Sequence, residues 1–129
     1  MVIIAPFAFV LLFFISAPYG RYLRAGWGPT VTSKTGWLLM EAPASLLMLS
    51  VLLFIPVNHV VYLFLVVWQV HYFHRAFFYP FTLTSLRRIP VAVVLMAIVF
   101  NSANAFLNGY HFVLHQDWYG QEWLTSWNF

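Results

Sequence analysis

The chain has no cysteine, only three acidic residues and only six basic ones among its 129. The first absence excludes disulfides, thiolate metal sites and a cysteine nucleophile. The scarcity of charge, 7% against about 25% in soluble domains, excludes a water-covered surface, because 63% of the residues are hydrophobic. Six basic residues are too few for a nucleic-acid footprint. No glycine-rich dinucleotide fingerprint occurs, nor any internal repeat or low-complexity segment. The first apolar run lacks the basic leader and small-residue cleavage site of a signal peptide, so it reads as a retained span.

What is present is apolar and aromatic, with aromatics at 21%. The pattern predicts an all-α polytopic membrane protein of about four transmembrane helices, one domain over residues 1–129. The first span runs from Met1 to about Ala17, a little short of the roughly 20 residues a bilayer needs. The second runs from about Thr35 to Ile55, with Glu41 and Pro43 in its first turns. The third runs from about His59 to Phe78 and stops at Tyr79-Pro80. The fourth runs from about Val91 to Leu114. Between spans one and two, Gly26-Trp27-Gly28-Pro29 is turn chemistry. Arg21, Arg24 and Lys34 lie in the first loop, and Arg87 and Arg88 in the third. The positive-inside rule then places both basic loops in the cytoplasm and the N-terminus outside. The membrane is a bacterial inner membrane or the endoplasmic reticulum.

Ionisable groups in lipid are costly and mark function by default. They concentrate at Glu41 and at His71-Tyr72-Phe73-His74-Arg75. Glu41 precedes Pro56 by 15 residues and Tyr72 follows Asn58 by 14. At 1.5 Å per residue both lie about 21–23 Å from the outer end of one helical hairpin. A hydrogen bond between Glu41 and Tyr72 is within reach. A buried carboxyl resists ionisation. A protonated Glu41 and the Tyr72 hydroxyl would then be two donors converging on a carbonyl oxygen that gains negative charge, as in hydride addition to an enone. Tyr72, Arg75 and Tyr79 share a helical face.

Plainer readings compete. Glu41 is close enough to its span's end to be an interfacial charge, and Arg75 to snorkel to the headgroups. His71 and His74 suit packing. Asn101, Asn104 and Asn108 form a polar stripe that serves either interhelical bonding or a pocket wall. Trp118, Trp123 and Trp127 suit an interfacial belt. His111 and His115 share the spacing of a ligand pair. A non-enzymatic four-helix subunit binding haem or quinone is the alternative that the five histidines and the aromatics allow; no metal site is assigned.

In order and spacing, four motifs resemble the steroid 5α-reductase (3-oxo-5α-steroid 4-dehydrogenase) family. They are Ala17-Pro18-Tyr19-Gly20-Arg21-Tyr22, Trp37-Leu38-Leu39-Met40-Glu41-Ala42-Pro43-Ala44, His71-Tyr72-Phe73-His74-Arg75-Ala76-Phe77-Phe78-Tyr79-Pro80-Phe81 and, more weakly, Asn104-Ala105-Phe106-Leu107-Asn108-Gly109-Tyr110. The resemblance implies a seven-helix membrane enzyme that reduces the Δ4 bond of a 3-oxo steroid, or a similar flat apolar enone, with NADPH. It implies that Glu41 and Tyr72 hold the 3-keto oxygen and that Trp37 and Phe100 wall the pocket. Tyr19 and Asn104 join them as substrate-side residues, and Arg75, Tyr79 and Arg87 are the cofactor-side candidates. The family is about twice as long. Its usual Trp-x-x-Asp-x-Arg-Phe continuation has Ser126 and Asn128 at the charged positions here. The expectation is an N-terminal, substrate-side half, with most of the NADPH contacts in a C-terminal half that partners it, and a half that is inactive alone.

Overall fold

The structure, a computed structural model, describes residues 26–84 and 87–125. Strand β1 (Thr30–Thr32) leads into helix α1 (Ser33–Phe54), and α2 (His59–Phe73) returns beside it. A π-helical turn (His74–Phe78) and the short α3 (Tyr79–Thr82) continue α2. Strand β2 (Arg88–Pro90) then feeds α4 (Val91–Leu114), and two 3-10 turns (Gln116–Trp118 and Gln121–Thr125) follow.

Local chemistry explains these limits. Thr32 caps α1, its hydroxyl accepting from the Thr35 N–H at 3.2 Å, the satisfaction a first turn needs. Ile55 precedes Pro56, is extended and ends the helix, because proline crowds a helical predecessor. Asn58 caps α2 by accepting from the Val61 N–H at 2.9 Å. Its side-chain amide donates to the carbonyls of Gln116 and Tyr119, and its backbone N–H donates to Gln116 Oε1. One residue thus starts α2 and ties the α1–α2 loop to the segment after α4. Asn58→Ala is expected to cost about 1–2 kcal/mol, read as a lower melting temperature in detergent; an unchanged melt would contradict this role.

Helix α1 is central and packs on both α2 and α4. One core cluster joins Ala44 and Met48 of α1, Val61 and Leu65 of α2, and Ala105 of α4. A second joins Met40, Ile89, Val93 and Val94. Gly36 lets α1 approach β2 closely, since a Cβ there would stand 2.9 Å from Ile89 Cδ1.

The all-α expectation needs one amendment. Residues expected to be loop pair as an antiparallel ribbon, Thr30 opposite Pro90 and Thr32 opposite Arg88. Arg88 locks it, donating from Nε to Thr30 Oγ1 at 2.7 Å and from Nη2 to the Thr30 carbonyl at 2.8 Å. The ribbon brings the two basic loops to one end of the helices, while the Asn58 bonds join the α1–α2 loop to the tail at the other.

Two helices, α1 and α4, are long and apolar enough to cross a membrane. The third expected span is helical from residue 59 to 82, but is divided into α, π and α pieces. The first, Met1 to Ala17, lies outside the described residues, as do Tyr19 and Trp127. Leu53, Phe54, Val67, Val70, Val99 and Phe100 are exposed. So apolar an outer surface suits contact with lipid or with further helices.

Candidate functional site

The site is built where α1 faces the end of α2. Trp68 Nε1 donates to the Ala44 carbonyl at 3.3 Å, and Gln69 Nε2 to Ser45 Oγ at 2.8 Å. These bonds fix the register of the hairpin. In antiparallel helices they put Tyr72, one turn on, level with Glu41, one turn back, as the depth argument expects.

The partner of Glu41 is nevertheless Arg75. Its Nη2 donates to Glu41 Oε1 at 2.9 Å, and the two side chains are 43% and 6% exposed respectively. The guanidinium carbon stands 5.4 Å from the centroid of the Trp37 ring, a cation–π arrangement. Tyr79 meets Trp37 edge-on at 5.1 Å. Glu41, Arg75, Trp37 and Tyr79 therefore form one array. No hydrogen bond joins Glu41 to Tyr72. The Tyr72 ring stacks on Trp68 at 4.7 Å, and its hydroxyl has no partner among the described residues.

The π-turn contributes to this placement. Pro80 has no N–H for the Ala76 carbonyl, and the Tyr79 N–H reaches back to the His74 carbonyl instead. The widened turn contains Arg75, and Tyr79 follows it. Such turns recur at functional sites.

On the α1–α4 side, the buried Asn101 donates from Nδ2 to the Met40 carbonyl at 2.6 Å. This is next to the Leu39 carbonyl, whose α-helical donor Pro43 cannot supply. The polar stripe of α4 is thus divided. Asn101 makes an interhelical bond, while Asn108 donates to the carbonyl and side-chain oxygens of Asn104 at 2.8 and 3.1 Å. Asn104 is half-buried and is not brought to Glu41. Phe100 is 67% exposed, so the structure does not gather it with the array either. The Arg87 carbonyl accepts from the Ser33 N–H and hydroxyl, which puts its backbone about 12 Å along α1 from Glu41.

Ser45 and Gln69 are the residues that sequence reasoning passed over. The available sign was a single amide, Gln69, within apolar α2, at the depth of Ser45. At the opposite end, Phe64, Phe112, Tyr119 and Trp123 cluster. There His111 Nε2 pairs with the Tyr119 hydroxyl at 2.9 Å and His115 stacks on Trp118 at 4.1 Å. Among the described residues no three histidine, aspartate or glutamate side chains come together as a metal site. An apolar groove of about 270 Å³, lined by Leu47, Val51, Phe106, Gly109 and Tyr110, opens between α1 and α4. Its nearest lining residue on α1, Leu47, is about 9 Å from Glu41 along the helix.

Comparison with known proteins agrees with the motifs. The chain is 37% identical over 135 aligned residues to the steroid 5-alpha-reductase DET2 of Gossypium hirsutum, covering 98% of this chain and 52% of that protein. It is 36% identical over 108 residues to the protein of the same name from Arabidopsis thaliana, covering 76% and 40%. The chain is homologous to the N-terminal half of the steroid 5-alpha-reductases. The 3-oxo-5-alpha-steroid 4-dehydrogenase 2 of Rattus norvegicus is 31% identical over 118 residues, covering 85% of this chain and 44% of that protein. The chain thus spans about half the length of the relatives it matches. No protein-family model matches it.

Proposed function

We propose that this chain is the substrate-side part of a membrane reductase acting on the Δ4 bond of a 3-oxo steroid or a similar flat apolar enone. The observation that carries this reading is Glu41. It is a carboxyl buried in an apolar helix, paired with Arg75, which lies over Trp37, and level with a Tyr72 hydroxyl that has no partner among the described residues, in a homologue of steroid reductases. Trp37 and the neighbouring apolar helix surface suit a flat ring system. The polar array suits its ketone. Tyr72, with a donor beside it, binds and orients the carbonyl oxygen and steadies the negative charge that develops there as the double bond is reduced.

NADPH supplies the hydride when bound. Of its three candidate contacts here, Arg75 is engaged by Glu41 and Tyr79 by Trp37, while Arg87 sits beside the ribbon with its carbonyl bonded by Ser33. They do not form a phosphate cradle, and most contacts to the nucleotide are assigned to a C-terminal half that partners this chain. The helices lie in a bilayer with the ribbon end cytoplasmic and the N-terminus outside.

The test supplies a 4-en-3-one steroid and NADPH to membranes carrying the protein with its C-terminal half. The expected result is a 5α-reduced product formed in step with NADPH oxidation. A protein that binds no such steroid and reduces none overturns the reading.

A further inference from the structure

We propose that His111 and His115 form a chelating site for a late first-row divalent metal ion, of the class of zinc(II), nickel(II) and copper(II), at the end of the helices opposite the ribbon. The site is separate from the Glu41 array and does not depend on the enone reading.

The argument starts from spacing. Residues four apart on a helix stand one above the other on one face, and two histidines so placed can close on one metal ion. Helix α4 carries His111 in its last turn and His115 as its C-cap. Their ring centroids are 4.8 Å apart, with the rings tilted by 53°. For metal–nitrogen bonds of about 2.0–2.1 Å and tetrahedral to square angles at the metal, two ligating imidazoles have centroids about 4.5–5.2 Å apart. The pair already stands at that separation, and its tilt is not that of a stacked pair.

Both rings are held by the segment after α4. His115 lies on Trp118, 4.1 Å away and nearly parallel, and its ring makes no hydrogen bond among the described residues. His111 Nε2 pairs with the Tyr119 hydroxyl at 2.9 Å. A metal-ligating histidine almost always gives its other N–H to an oxygen. Tyr119 supplies that oxygen, which leaves Nδ1 of His111 for the metal. Tyr119 is itself anchored, its carbonyl accepting from Asn58 Nδ2 at 3.1 Å. Rings fixed in this way have little rotamer freedom left to lose on binding.

Electrostatics favours a cation here. A helix C-terminus carries about half a negative charge. After Arg88 the chain has no lysine or arginine, while two of its three acidic residues, Asp117 and Glu122, follow α4. His111 is exposed and His115 half-buried, so an ion can reach the pair. Imidazole suits zinc, nickel and copper, whereas magnesium and calcium seek oxygen ligands. The pair makes two of the bonds, and water completes the shell. A bound ion ties the last turn of α4 to its C-cap, and the Trp118 and Tyr119 contacts pass that restraint to the tail.

The test titrates copper(II) into the protein carrying its C-terminal half, purified in detergent without a histidine tag and stripped with EDTA. Electron paramagnetic resonance reads the site. The expected spectrum shows splitting from two nitrogens. His111→Gln and His115→Gln are each expected to remove it and to weaken binding at least about tenfold, since losing only an outer hydrogen-bond partner costs about 10–100-fold. Tyr119→Phe is expected to keep the two-nitrogen signal and bind about tenfold more weakly. His59→Gln, at the same end of the helices, is expected to change nothing. A wild-type signal in either His111→Gln or His115→Gln overturns the proposal, as does a wild type that binds no copper. A second readout needs no variant. Zinc(II) is expected to protect His111 and His115 of the wild type from diethyl pyrocarbonate, read by peptide mass spectrometry, and EDTA to restore their reaction. Equal modification with and without zinc overturns the proposal.

Discussion

Tyr72→Phe and Glu41→Gln are each expected to lower steroid reduction by about 10²–10³-fold, the usual loss when one preorganised contact to a developing oxyanion is removed. Neither is expected to lower expression, for reasons specific to each residue. The Tyr72 hydroxyl makes no hydrogen bond among the described residues, and the ring's packing on Trp68 survives in Phe. The free protein therefore loses almost nothing. Gln at position 41 keeps the shape of the side chain and an oxygen that can accept from Arg75 Nη2. What it loses is the charge that holds the guanidinium. The measurement is the initial rate of 5α-product formation in membranes matched for protein content. Wild-type rates in both variants would remove the array from the reaction, whatever the homology.

Much of this site can be read from the sequence, because depth in a membrane hairpin is simple arithmetic. Pro56 and Asn58 mark the turn, helical rise is constant, and Glu41 and Tyr72 fall at one level. The cross-hairpin bonds of Ala44 with Trp68 and Ser45 with Gln69 give the same register. Rotation about the helix axis is what the arithmetic misses. Pro80 follows a π-turn through His74–Phe78, and a widened turn changes which way the side chains after it face. Arg75, and not Tyr72, is the residue that bonds Glu41. The same limit applies to α4. Asn101 and Phe100 are adjacent in sequence, yet one is buried against Met40 and the other exposed, a distinction that uniformly apolar surroundings do not encode. The ribbon was hidden for another reason. Strands of three residues bracketed by proline and glycine read as loop, and only the pairing of two segments 58 residues apart makes them strands.

The Glu41–Arg75 pair also carries a stability prediction, whose size follows from its unequal burial. Exposed ion pairs are worth about 0–1 kcal/mol, while breaking a buried one costs about 3–5 kcal/mol. Here the carboxyl is 6% exposed and the guanidinium 43%, so an intermediate cost of about 2 kcal/mol is expected for Glu41→Met. The guanidinium remains charged in that variant and must leave Trp37 to reach water or headgroups. Arg75→Met removes the same contact and is expected to cost a similar amount, about 2 kcal/mol. The double variant strands neither group, so it should lose less than the two single losses combined. The interaction energy in the cycle is expected to be at least about 1 kcal/mol. Reversible unfolding in mixed micelles, followed for the wild type and all three variants, measures it. Strict additivity would mean that the contact contributes nothing to the free protein and that the two groups are placed by the surrounding helices. A coupled cycle together with an activity loss at position 41 would mean that one carboxyl both holds the end of α2 against α1 and serves the reaction.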